Sequence, residues 1–354
     1  MQGGIASKTY WLYNSLRERD YQFRIVTCGD ENYATSHALD HSEISIVAPR
    51  SIPWHIPETA LTDDRILGKV IEWAETFEPD LIETNYLWPF CKDALLLSLS
   101  LKKPLIIRHA GSDILKFKDD PEFLSIIRWY LQQAATVVTN HDAFDFIRQV
   151  IGNRQNVKCL PRYVPNPHVF KQSELPKAYD LLFAGKINYH WRLKGLGLLL
   201  GVIRKRGLRA RFIIGGKYKG ELTGLISNHQ IDSQIDVSGF IPPEQMPDAY
   251  NSSRFVWCWE EEGTLPDFSN IVWESLFSGV PCIMNSATSE NTEAEGLGGD
   301  FSRLIYRVDS KSLIDFDFIH RDDGVSVDWN QKLSMYESYI SSNRDLYRTF
   351  SRDA

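Results

Sequence analysis

The 354-residue chain reads as α/β, two domains of parallel sheet flanked by helices, on three observations. Short apolar runs alternate with amphipathic runs from one end to the other, the pattern that parallel strands with crossover helices produce. A doubly proline-bearing break, Val164-Pro165-Asn166-Pro167-His168-Val169-Phe170, interrupts the alternation near the middle. The length is that of two ordinary domains, each able to bury its own core.

The elements follow in order. Gly3-Gly4 opens a helix over 5–17. Strands are predicted over 23–28, 44–48, 81–85, 105–109 and 136–139, then over 181–185, 211–215, 236–239, 255–259 and 282–284, because each is a short apolar run between turn-forming residues. Runs at 63–77, 123–134, 141–151 and 195–206 carry apolar residues at helical spacing. The best delimited helix lies within 268–281. Ser269 stands as its N-cap, Gly279 just past its C-cap, and Pro281 where it must already have ended. A long final helix covers 329–350. The predicted division is 1–166, 167–330 and a C-terminal helix, 331–354, that can pack back on the first domain.

A formal charge of -7, a pI near 5.8 and interspersed signs exclude a duplex nucleic-acid binder and favour a small or neutral partner. Cys28, Cys91, Cys159, Cys258 and Cys282 are scattered without CxxC spacing, which reads as buried free thiols in a cytoplasmic protein. No apolar stretch reaches the ~18 residues of a spanning helix, and no signal-peptide core is present. Membrane association is at most peripheral, since Leu115-Lys116-Phe117-Lys118 offers one lysine pair. Tyr86, Trp88, Phe90, Trp129 and Tyr130 read as core, with stacking on a saccharide the second reading.

Several motifs are settled by what they lack. Gly3-Gly4-Ile5-Ala6-Ser7-Lys8-Thr9 has neither a glycine before the lysine nor a preceding strand, which excludes a Walker phosphate loop. Gly195-Leu196-Gly197 lacks the third glycine of a dinucleotide fingerprint, so a nicotinamide oxidoreductase is a minor alternative. Asp315-Phe316-Asp317 lies outside any strand end, and the histidines show no ligand spacing; no metal is predicted. His109 ends an apolar strand before Ala110-Gly111-Ser112-Asp113, where it is either a ligand-facing loop residue or a satisfied structural histidine. Lys186 follows a strand and Arg192-Leu193-Lys194-Gly195 opens the next helix. Such cations near a helix N-terminus could neutralise a departing diphosphate, or form a solvated basic loop.

Seven segments in order resemble the retaining glycosyltransferases of family 4. Gly3-Gly4-Ile5-Ala6 is similar to that family's N-terminal glycine loop, Arg108-His109-Ala110-Gly111-Ser112-Asp113 to its strand-end His-Gly-x-Asp segment, and 164–170 to its linker. Gly185-Lys186-Ile187 with Lys194-Gly195 resembles its donor-phosphate pair, and Ile214-Gly215-Gly216, Val237-Ser238-Gly239-Phe240 and 268–281 complete the donor half. The resemblance implies two Rossmann-like domains (the GT-B fold) with the active site in the cleft between them. It implies metal-independent, cofactor-free transfer of a sugar from a nucleotide diphosphate-sugar, such as a UDP-sugar, to a saccharide or lipid-linked glycan in polysaccharide biosynthesis. On this reading His109 contacts the donor sugar, while Lys186 and Lys194 stabilise the leaving diphosphate. Gly3, Gly4, Asp113, Arg192, Asp267, Phe268, Ser269, Asn270 and Glu274 bind substrate, Glu274 through the ribose.

There are two departures from the family. Its Glu-x7-Glu spacing puts Pro266 where the first glutamate belongs, so Asp267 or Glu262 would supply that carboxylate. Its apolar first strand precedes the glycine loop, whereas Met1-Gln2-Gly3-Gly4 opens here, which reads as a truncated or misassigned start. A non-hydrolysing sugar-nucleotide epimerase and a noncatalytic nucleotide-sugar-binding protein are the alternatives.

Overall fold

The computed structural model describes all residues except 1–3, 29–43, 48–63, 86, 88–89, 110–113, 115–118, 153–155, 188–189, 217, 260–268, 287–298, 319–324 and 352–354. The chain divides into two compact units. Unit 1 takes Met1, Thr9–Arg162 and Ser338–Ala354; unit 2 takes Gln2–Lys8 and Tyr163–Glu337.

Helix α1 (Gly4–Arg17) gives its residues from Thr9 onward to unit 1, which continues with a parallel pair, β1 (Ile25–Cys28) with β2 (Ile44–Val47). Helix α2 (Asp64–Phe77) leads to a separate four-stranded parallel sheet, ordered β3 (Ile82–Thr84), β4 (Leu105–Arg108), β5 (Thr136–Thr139), β6 (Val157–Cys159). Its crossovers are α3 (Cys91–Leu101), α4 (Pro121–Gln133) and α5 (His141–Ile151). Local chemistry sets the helix starts. Asp120 accepts a hydrogen bond from the Phe123 amide at 3.0 Å with Pro121 in the first turn, and Asn140 accepts one from Ala143 at 3.3 Å. All four residues of β4 and of β5 are buried, as strands covered on both faces should be. On α4 the inward residues are Phe123, Ile127 and Leu131, one turn apart, which leaves Trp129 53% exposed on the other side. The expectation that Trp129 belongs to the core is therefore corrected; its ring meets Tyr130 edge-on at 5.0 Å.

The carboxyl end of this sheet is pinned by a buried ionic network. Arg108 Nε lies 3.2 Å from Glu83 Oε1, both side chains being 6% exposed. Glu83 also accepts hydrogen bonds from Tyr13 of α1, from Asn85 and from Tyr347. Arg108 donates further to Asn343 Oδ1 at 2.9 Å and Tyr347 Oη at 3.3 Å, both on the C-terminal half of the last helix. These contacts hold the residue immediately before His109.

Unit 2 is built on six parallel strands: β7 (Tyr179–Lys186), β8 (Ala210–Gly215), β9 (Ile235–Ser238), β10 (Ser253–Trp257), β11 (Cys282–Asn285) and β12 (Ile305–Val308). Their spatial order is β12-β11-β10-β7-β8-β9. The connecting helices are α6 (His190–Arg206), α7 (Lys219–Asn228), α8 (Met246–Asn251), α9 (Asn270–Phe277) and α10 (Asp300–Arg303), and α11 (Trp329–Arg348) closes the chain. A continuous apolar core joins Leu181 and Phe183 of β7 to Leu196, Leu199 and Leu200 of α6, and reaches Trp257 and Trp259. Gly215 ends β8 where the ring of Phe240 lies so close that any side chain would collide with it.

Candidate functional site

The strand order of unit 2 locates the site. Starting from β7, the chain moves outward through β8 and β9, then returns to the other side of β7 for β10, β11 and β12. The direction reverses between β7 and β10, and in open parallel sheets ligands bind outside the carboxyl ends of the strands at such a reversal. Lys186 ends β7, and α9 is the helix that follows β10. Sequence reasoning placed Lys186 just after the first of these strands and Glu274 on the helix after the second, without access to the order that makes β7 and β10 neighbours in the sheet.

Helix α9 is fixed firmly at its far end. Gly279 has φ +67°, its amide bonds the Leu276 carbonyl at 3.1 Å, and the Val280 amide bonds the Ser275 carbonyl at 2.9 Å, which together form a Schellman cap. Lys332 of α11 donates from Nζ to the Phe277 carbonyl at 2.7 Å, adding a cation where the helix dipole is negative. At the near end, Ser269 takes the extended N-cap conformation, φ -68° and ψ 154°. The expectation that its side chain caps the helix is corrected, because Ser269 makes no capping hydrogen bond. Asn270 is the first helical residue.

Glu274 sits one turn into α9 and is 4% exposed. Its Oε1 accepts from Tyr163 Oη at 3.1 Å and its Oε2 from Tyr250 Oη at 2.7 Å. Burial, first, and the carboxylate beside it, second, raise the Tyr250 pKa well above its ordinary value, so the phenol remains a donor throughout the physiological range. Neither tyrosine was singled out from sequence, and they lie 111 and 24 residues from Glu274. A local motif has no means of showing such partners.

The cations differ in setting. Lys186 is half-buried, and burial holds its pKa below that of an ordinary lysine. Lys194 is exposed on the first turns of α6. Arg192 is carried by the same helix, and its side chain is outside the described set, as are Gly3, Asp113, Asp267, Phe268 and Glu262. Gly4 opens α1. Just past β10, Trp259 is 6% exposed and stacks on Trp257 at 5.1 Å with 9° between ring planes. Its indole N–H has no hydrogen-bond partner among the described residues. In unit 1, His109 follows β4, is 6% exposed, and its Nε2 lies 2.7 Å from Thr139 Oγ1 at the end of β5. It is therefore both a strand-end residue and a hydrogen-bonded one. Among the described residues no group of three or more His, Cys, Asp or Glu side chains could hold a metal, and no helix is long and apolar enough to cross a membrane.

No protein-family profile matches the chain, and no curated protein matches it. Solved structures do. Sucrose-phosphate synthase from Thermosynechococcus elongatus superposes with a TM-score of 0.65 at 15% identity, over 96% of this chain and 91% of that one. The chain has the GT-B fold. Anabaena HepE, determined in complex with UDP-glucose, gives a TM-score of 0.62 at 16% identity over 97% and 91%. A Listeria monocytogenes protein assigned as a UDP-N-acetylglucosamine 2-epimerase gives 0.62 at 11% over 99% and 96%. At these identities the likeness establishes architecture, which transferases and the assigned epimerase share.

Proposed function

We propose that the protein is a glycosyltransferase that moves a sugar from a nucleotide diphosphate-sugar to a saccharide or lipid-linked acceptor, with retention of anomeric configuration and without a metal. The observation that carries this reading is the reversal between β7 and β10, flanked by Lys186 on one strand and by the α9 start with Glu274 after the other. A fold seen with UDP-glucose in HepE supports it.

In this reading the nucleotide lies across the carboxyl ends of β7 and β10. Glu274 accepts hydrogen bonds from the ribose, and the first-turn amides of α9, at Ser269 and Asn270, face the phosphates or sugar. Negative charge grows on the diphosphate as the glycosidic bond breaks, and Lys186 and Lys194 stabilise it in the transition state. Lys186 begins with its charged form disfavoured by burial, so an arriving diphosphate strengthens its hold on the proton. Lys194 reaches the same charge from the solvent side of α6.

The test is turnover by a Lys194→Ala variant. It should fall by tenfold to about a thousandfold, more than donor binding weakens, as when other charge-stabilising groups are removed. Wild-type turnover would take Lys194 out of the mechanism, and an inverted anomeric product in an NMR assay would reject retention. A second reading, sugar-nucleotide epimerisation, is favoured by the fold shared with the Listeria protein. It predicts donor conversion with no acceptor present, which the same NMR assay detects.

A further inference from the structure

We infer that Tyr163 and Tyr250 are positioning residues for nucleotide recognition: their hydroxyls fix the Glu274 carboxylate so that it reads the ribose. The inference rests on the ribose role proposed above for Glu274.

A glutamate side chain ends in a torsion with broad, weak minima, so an unheld carboxylate would have to be ordered at the moment of binding. Here each oxygen is held by a different phenol, Oε1 at 3.1 Å and Oε2 at 2.7 Å. The rings are fully packed, Tyr163 at 2% and Tyr250 at 0% exposure. They arrive from different elements, Tyr163 from the extended segment before Pro165 and Tyr250 from α8. The Tyr250 ring also rests against Phe170 at 6.3 Å. Two anchors on two oxygens, from two fully packed rings, remove both tilt and rotation of the carboxylate plane.

A purely structural role accounts poorly for this arrangement. A buried carboxylate contributes little to stability compared with an apolar residue of similar volume, and phenylalanine would fill either ring site without a hydroxyl to satisfy. The three polar groups converge one turn inside the helix that starts beside the strand-order reversal, where a fixed acceptor has a use.

The experiment compares Tyr163→Phe, Tyr250→Phe and Glu274→Gln with the wild-type chain. Calorimetry measures binding of UDP, GDP and ADP, and of the 2′-deoxy form of whichever binds best; thermal unfolding is recorded in parallel. Each phenylalanine variant should weaken the ribonucleotide about tenfold, the effect of one hydrogen bond to a charged group, while binding of the 2′-deoxynucleotide changes little. The ribo-to-deoxy preference should shrink in both and vanish in Glu274→Gln. A structural role alone would lower the unfolding temperature and leave that preference intact, which overturns the inference. If Glu274→Gln itself keeps the wild-type preference, or no nucleotide binds, the proposed ribose role has failed instead. Should Tyr250→Phe not fold, Tyr163→Phe acts on the other oxygen and decides the matter alone.

Discussion

Arg108→Met should destabilise unit 1 by about 3–5 kcal/mol, the cost of removing one partner from a buried ion pair. The structure sets where in that range the value falls. Glu83 would lose two guanidinium contacts, at 3.2 and 3.4 Å, but keep the hydroxyls of Tyr13 and Tyr347 and the amide of Asn85. That residual solvation pulls the cost toward 3. Against it, Asn343, fully buried, loses the donor to its Oδ1, and an orphaned buried acceptor costs about 1–3 kcal/mol. The sum lies near 4 kcal/mol, which for a unit of this size lowers the unfolding midpoint by roughly 10 °C. Glu83→Gln added to Arg108→Met should recover about 1 kcal/mol or more, since the uncompensated charge is gone. Urea unfolding of the wild-type chain, both single variants and the double variant measures all of this. A single variant within 1 kcal/mol of wild type, or a double variant as unstable as the sum of the two singles, would refute the argument that the pair is electrostatically coupled and buried.

Two further outcomes follow from α9. Lys332 has its pKa lowered to about 8 by burial, against about 10.5 in the unfolded chain, so between those values the unfolded state holds the extra proton. Stability of the wild type relative to Lys332→Met should therefore rise from pH 8 to pH 10.5, by at most about 3 kcal/mol; denaturation at the two pH values checks the sign, and a flat or falling difference contradicts it. Gly279→Ala forces a β-carbon into φ +67° and within 3.0 Å of Gln172 Oε1, and should cost about 1–2 kcal/mol by thermal unfolding. A neutral result would mean that α9 does not end in the left-handed conformation.

Legibility in the sequence followed the range of the interactions. Residues 136–139 and 141–151 were read to the residue because a short apolar run and apolar residues at helical spacing are local signals, and the Asn140 and Gly152 caps end the helix where that spacing ends. Helix α9 was delimited for the same reason, by Ser269, Gly279 and Pro281. Strands β6 and β12 escaped notice: both are sheet-edge strands interrupted by a basic residue, Lys158 and Arg307, and neither has an apolar run. Helix α3 was missed because its leucines fall on several faces and give no clear 3.6-residue period. Trp129 was misread because aromatic spacing alone does not say which side of α4 faces the sheet. The residues of the candidate site were partly visible as motif members, whereas their partners were not. Tyr163 and Tyr250 reach Glu274, and Asn343 and Tyr347 reach Arg108, across separations that only the fold closes.

The central claim, a nucleotide-diphosphate site at the β7–β10 reversal, is tested most directly by hydrogen–deuterium exchange with and without UDP-glucose. Protection should concentrate at the end of β7 around Lys186, at Cys258 and Trp259, and through the first turn of α9 to Glu274. Saturating nucleotide-sugar that leaves these amides unchanged, or protects another part of unit 2 instead, would contradict the account.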